Sequence, residues 1–189
     1  MILDLLRHGE TERGGGLRGS LDDALTERGW AQMRDAVAGV GPWDVLVSSP
    51  LQRCARFADE LGARLGLAVQ QESGVRELHF GDWEGRSAAQ IMEHQADELG
   101  RFWADPYAFT PPAGEPVGVF AERVLAAIDG LGRAYAGKRV LLVTHGGVMR
   151  LLLARARGLP REQLLQVEVG HGALVRLALL ADGQLHEVS

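Results

Sequence analysis

Two stretches of this chain carry a histidine into glycine at the end of an apolar run. Leu3-Asp4-Leu5-Leu6 leads into Arg7-His8-Gly9, and Val140-Leu141-Leu142-Val143-Thr144 leads into His145-Gly146-Gly147. Arg53 follows a third apolar run, Asp44-Val45-Leu46-Val47-Ser48, and Arg18 brings another cation back towards the first. Between them, Val75 to Arg86 crowds acids, aromatics and glycines into one irregular segment, with Glu77 and Glu84 as candidate acids. Asp82 and His79 in the same segment read as turn or surface residues. Each of these features alone equally fits an ordinary strand end or a solvated helix face. Together, two histidines, Arg7, Arg53 and one acid suit a phosphoryl group. Guanidinium matches phosphoryl oxygens in a bidentate fork, and a neutral imidazole can attack phosphorus to form a covalent intermediate. No spaced Cys/His cluster supplies a third ligand for the histidines, so no metal is expected. No Gly-x-x-x-x-Gly-Lys loop is present either, and no cofactor is expected.

The chemistry requires elements that deliver these residues to one place. The apolar runs ending at Arg7, Ser48 and Thr144 are long enough for buried strands but too short for helices. Ligands of open α/β sheets bind beyond the carboxyl ends of such strands, where His8, Arg53 and His145 fall. Glu12 to Gly19, with its triglycine, is a loop. Thr26 is placed to cap a helix carrying Trp30, Met33 and Val37 at helical spacing. Pro50 suits a helix's first turn, and Leu51, Cys54, Phe57, Ala58 and Leu61 give that helix its apolar face. Cys54 is thereby a buried small residue and not a nucleophile. Leu67 to Gln71 reads as a short strand. Ser87 to Trp103 and Val117 to Tyr135 read as helices separated by a proline-rich break, a helical insertion placed to cover the strand ends. The second histidine opens a helix reaching Arg157, whose amino terminus favours an anion. Gly172 to Leu179 forms a further strand, to which Gln184 to Val188 can pair through Asp182-Gly183.

Composition narrows the classes. At 189 residues and 46% hydrophobic the chain reads as a single domain, 1–189, with a sizeable core. A net charge of −5 argues against general nucleic-acid binding, which needs a basic face. No apolar run nears the roughly 20 residues of a membrane span, and no signal peptide is evident. One cysteine excludes an internal disulfide and fits a cytoplasmic setting. The expected partner is a small phosphomonoester, without nucleic acid or membrane; the oligomeric state stays open.

Leu6-Arg7-His8-Gly9-Glu10-Thr11 resembles the signature of the histidine phosphatase (phosphoglycerate mutase-like) superfamily. The resemblance extends through Leu25-Thr26-Glu27-Arg28-Gly29, Ser48-Ser49-Pro50-Leu51 with Arg53, Arg76-Glu77, Gly81-Asp82-Trp83-Glu84-Gly85 and Val143-Thr144-His145-Gly146-Gly147. It covers most of the chain in the family's order. It implies a three-layer α/β/α sandwich with a largely parallel sheet. It implies His8 as the phosphorylated nucleophile and Glu77 as proton donor, with Arg7, Arg53 and His145 as the phosphate pocket. Thr11, Gly146 and Arg18 become substrate contacts. Two positions depart from the family's habit: Gly14 stands where an asparagine is common, and Gly170-His171-Gly172 where another is. The overall look is closest to alpha-ribazole phosphatases. Other sugar-phosphate phosphatases, a mutase and, more remotely, a non-catalytic phosphate-binding module are the rival readings.

Overall fold

The computed structural model describes residues 1–188. Six strands form one sheet: β1 (Ile2–Arg7), β2 (Val45–Ser48), β3 (Val69–Gln71), β4 (Arg139–Thr144), β5 (Leu174–Leu179) and β6 (Leu185–Glu187), in the order β3-β2-β4-β1-β5-β6. The first four run parallel, while β5 and β6 are antiparallel additions at one edge. The helices are α1 (Glu27–Val37), α2 (Gln52–Leu65), α3 (Ala88–Ala104), α4 (Val117–Ala134) and α5 (Gly146–Ala156).

Alternation along the strands builds the layers, because successive side chains face opposite sides of a sheet. Leu3, Leu5, Val140 and Leu142 pack with α4 and α5 on one face, and α3 joins that core through Ile91, Leu99 and Phe102. Leu6, Leu46, Leu141 and Val143 pack with α1 and α2 on the other. Both faces are covered, so the strands are apolar on both sides, as parallel sheets require. Fully buried side chains such as Phe57 and Phe120 each contribute about 1.5–3 kcal/mol by leaving water.

Local signals set most boundaries. Thr26 caps α1, its hydroxyl accepting from the Gly29 N–H at 2.9 Å. Ser87 and Gln90 close a reciprocal capping box at the start of α3. Pro50 does not lie in a helical turn. The Ser49 N–H still donates to the Val143 carbonyl, and Leu51 stays extended as the cap of α2. Strand pairing therefore runs beyond Ser48 and pushes the helix to Gln52. Trp30 is only partly buried, lying against Phe57 with the Arg34 guanidinium over its ring. Met92 and Trp103 are half exposed. They lie on α3, which breaks helical geometry at Gln95 (φ −139°, ψ 42°). The Gln95 side chain there accepts from Trp83 Nε1 and Arg86 Nη1.

Candidate active site

Parallel pairing brings the functional residues together. Arg7 is registered with Thr144, and Ser48 with Val143, so His8, Ser49 and His145 leave the sheet together at the carboxyl ends of its strands. Those ends open on a cavity of about 280 Å³ lined by Arg7, His8, Thr11, residues 14–18, Glu77, Gly147, Arg150 and His171. Its opposite wall is apolar, made by Leu78, Phe80, Phe102, Pro106, Val117, Phe120, Leu164 and Leu165. Much of that wall comes from α3, α4 and the proline-rich break between them, where the helical insertion was expected.

His8 is 4% exposed. Its Nδ1 lies 2.8 Å from the Gly9 carbonyl. A carbonyl only accepts, so Nδ1 carries the proton and Nε2 keeps its lone pair. Burial, reinforced by Arg53 and Arg7, holds the His8 pKa well below the ordinary imidazole value, so the ring is neutral. Gly9 allows this strand end to touch α1: a Cβ at Gly9 would overlap the Gly29 backbone, and one at Gly29 would overlap the Glu10 carbonyl. The Thr-Glu-Arg-Gly turn thus owes its glycine to backbone contact with the strand end.

His145 is fully buried, its ring 5.3 Å from that of His8. Arg53 Nε donates to its Nδ1 at 3.3 Å. Nε2 must then carry the proton, which it gives to Ser49 Oγ at 2.7 Å. Burial first, then Arg53, His8 and Arg7, hold this ring neutral too. Arg53, also fully buried, donates its remaining groups to the Leu21 carbonyl at 2.6 Å and the Gly19 carbonyl at 2.9 Å. Arg53 and His145 therefore form a layer beneath His8, while Arg7 stands on the cavity wall. Cys54 lies under His145, its thiol pushed up to about 12 by burial.

Both oxygens of Glu77 are held by backbone N–H groups, Leu78 at 3.0 Å and Gly147 at 2.9 Å. The Gly147 bond comes from the first turn of α5. A Cβ at Gly147 would overlap the Glu77 carboxyl, which would have to shift from its place. Gly146 lies outside the cavity lining and instead makes room for Arg7, whose Nε would sit 3.2 Å from a Cβ there. Thr11 is buried at the cavity edge and bridges to Leu25. Arg18 lines the cavity with its donors turned inward: Nε to Asp23 at 3.1 Å and Nη2 to the Gly14 carbonyl at 2.8 Å. It braces the triglycine loop.

Glu84 makes no contact with the cavity. Its carboxylate accepts the N–H groups of Ser20 (2.6 Å), Leu21 (2.9 Å) and Phe80 (3.2 Å), so it fastens the loop whose carbonyls orient Arg53. His79 and Asp82 lie outside the cavity.

Four residues escaped a role in the sequence reading: Ser49, Gly147, Arg150 and His171. Arg150 had a signal, a lone cation in the apolar run from Val148 to Leu153. His171 stood out as a departure from family habit. Its ring lies 5.7 Å from that of His8, exposed at the cavity mouth. Partial desolvation and Arg7 draw its pKa below the ordinary value. Ser49 and Gly147 are visible only once the strand ends are brought together.

Comparison with known proteins fixes the class. Residues 3–188 match the family model of the histidine phosphatase superfamily (branch 1), and the chain belongs to that superfamily. It is 35% identical over 180 residues to the bifunctional protein Rv2228c of Mycobacterium tuberculosis; the match takes 93% of this chain but 46% of that protein, so the chain spans about half of it. It is 32% identical over 177 residues to the adenosylcobalamin/alpha-ribazole phosphatase of Escherichia coli, covering 91% of this chain and 87% of the relative. Among solved structures, a mycobacterial glucosyl-3-phosphoglycerate phosphatase superposes with a TM-score of 0.87 at 29% identity, over 99% of this chain and 96% of the other. No helix of the described residues is long and apolar enough to cross a membrane.

Proposed function

We propose that this chain is a phosphomonoester hydrolase acting through a phosphohistidine on His8. The His8 ring carries the reading: Nδ1–H is occupied by the Gly9 carbonyl, which leaves Nε2 as a neutral nucleophile beside Arg7. In the first step Nε2 attacks phosphorus in line with the ester oxygen. The P–O bond to the alcohol breaks, and Glu77 in its acid form gives that oxygen its proton. In the second step water attacks phospho-His8, Glu77 takes the water's proton, the P–N bond breaks and phosphate leaves. Enzymes accelerate monoester hydrolysis by up to about 10²¹, of which general acid catalysis supplies roughly 10²–10⁴. Positioning and charge stabilisation must supply most of the rest. Arg7 acts from the cavity wall, Arg53 and His145 from the layer beneath, with Thr11, Arg18 and Gly146 shaping the surroundings.

The alcohol faces the apolar wall. Phe80, Phe102 and Phe120 there support alpha-ribazole 5′-phosphate, whose aromatic base needs such a surface. A second reading is favoured by charge: among the described residues, Arg7 and Arg150 line the cavity without an ion-pair partner, and the one acid in the lining is Glu77. That excess suits a sugar phosphate bearing a second negative charge, as the name glucosyl-3-phosphoglycerate phosphatase describes for a relative.

Brief reaction with a ³²P-labelled monoester followed by an alkaline quench should leave acid-labile label on His8. Label on another residue, or full turnover by His8→Ala, sinks the proposal. Ranking kcat/KM for alpha-ribazole 5′-phosphate, glucosyl-3-phosphoglycerate and 3-phosphoglycerate then decides between the two substrate readings.

A further inference from the structure

The cavity holds more positive charge than one phosphoryl group requires. Arg150 lies in the second turn of α5 and reaches the cavity with its guanidinium. Its Nε–H donates to the Val167 carbonyl at 3.0 Å. Arg7 makes the matching bond two residues further on, Nη1 to the Val169 carbonyl at 2.5 Å. Two guanidiniums therefore hang from alternate carbonyls of one segment and meet over Gly146. A Cβ at Gly146 would lie 3.2 Å from Arg7 Nε and 3.5 Å from Arg150 Nη1.

Among the described residues, no carboxylate stands within 4.0 Å of either guanidinium. Both terminal nitrogens of Arg150 lack a protein acceptor, and Arg7 Nε is buried without one. Two like charges side by side in a partly desolvated pocket are unfavourable until anions join them. Arg7 adjoins His8, the residue that takes the phosphoryl group, and so has its anion. Arg150, further along the helix, has none. The apolar wall beside it, with Phe80 and Phe120, lowers the local dielectric and strengthens any charge pairing formed there.

We propose that Arg150 is a subsite for a second negative charge on the leaving alcohol, a carboxylate or a phosphate group. The preferred substrates are then phosphomonoesters of acid-bearing alcohols, held by the phosphoryl group at one end and by the second anion at the other. This rests on the phosphohistidine reading and completes its leaving-group half, favouring the second of the two substrate readings.

Two matched pairs of esters test it: 3-phosphoglycerate against glycerol 3-phosphate, and 4-carboxybenzyl phosphate against benzyl phosphate. They place a carboxylate near to and far from the phosphoryl group. Wild-type protein should favour the acid member of at least one pair by about tenfold in kcat/KM, or about 1.4 kcal/mol. Arg150→Met should erase that preference, and a far-UV circular dichroism spectrum matching the wild type shows that the variant folds. Arg150→Lys should keep part of the preference. Equal rates within both pairs, or a preference that survives Arg150→Met, overturns the subsite; if label still forms on His8, the phosphohistidine reading stands. No turnover of any ester and no label on His8 overturns both.

Discussion

His8 and His145 arise from the same local design. Each ends a parallel strand, each is followed by glycine, and the two strands are neighbours in the sheet. Their rings nevertheless hold opposite tautomers. His8 gives its Nδ1 proton to the adjacent carbonyl and keeps Nε2 free. His145 accepts from Arg53 at Nδ1 and gives its Nε2 proton to Ser49, so neither nitrogen is left for chemistry. Their glycines differ as well. Gly9 lets the backbone touch α1, whereas Gly147 turns its N–H to Glu77. One motif thus supplies the proposed nucleophile, and the other supplies a neutral support together with the anchor for Glu77. Neighbouring hydrogen-bond partners, more than the motif itself, divide the labour.

The largest effect should separate the two histidines outright. His8→Ala should lose hydrolysis to the detection limit. His145→Ala, which removes a support from beneath the site, should lose about 10²–10³ in kcat, the scale of losing one preorganised electrostatic group, with label still forming on His8. Equal losses, or label displaced in His145→Ala, would break the division.

A smaller effect tests the acid that the second motif anchors. A sugar alkoxide leaves only with a proton, whereas a nitrophenolate leaves without one. Glu77→Gln should slow an alkyl phosphate by roughly 10²–10⁴ and slow phospho-His8 formation from nitrophenyl phosphate far less. The second measurement must be a burst, because Glu77 also serves the water attack. Glu84→Gln should show no dependence on leaving group. Equal losses on both esters in Glu77→Gln would mean that Glu77 holds the site together without donating.

The smallest effect is on stability. Both histidines have pKa values well below 6.5 in the folded chain, while in the unfolded chain they take up protons near 6.5. The unfolded state therefore binds more protons as pH falls, and stability present above pH 6.5 is lost progressively below it. Melting temperature should fall between pH 6.5 and 5, and His145→Asn, at the more deeply buried site, should flatten that fall. A flat profile in wild-type protein would show that the rings are not held neutral.

Much of this was legible in the chain. Apolar runs ending in histidine or serine marked three of the four parallel strands, and family resemblance tied His8 and Glu77 to one cavity. Thr26 as a cap and Cys54 as core followed from spacing alone. What sequence could not carry was side-chain direction across distant elements. Nothing near Arg18 announces that it turns onto its own loop and Asp23, and nothing near Arg53 announces three partners from two other segments. Gly147 was hidden for a different reason: the partner of its N–H is Glu77, seventy positions away. Arg150 was the one missed residue with a local mark, a cation interrupting an apolar helix.

The place of β1 in the sheet has a consequence for how the molecule assembles. β1 precedes the other strands in the sequence, yet its two neighbours are β4 and β5. During synthesis His8 emerges on a strand whose partners, β4 and β5, follow only much later. Contacts so distant in sequence must close long loops before they stabilise anything, which slows folding. His8 is thus translated well before the strands that set it in place, and its final surroundings form only with the arrival of β4 and β5.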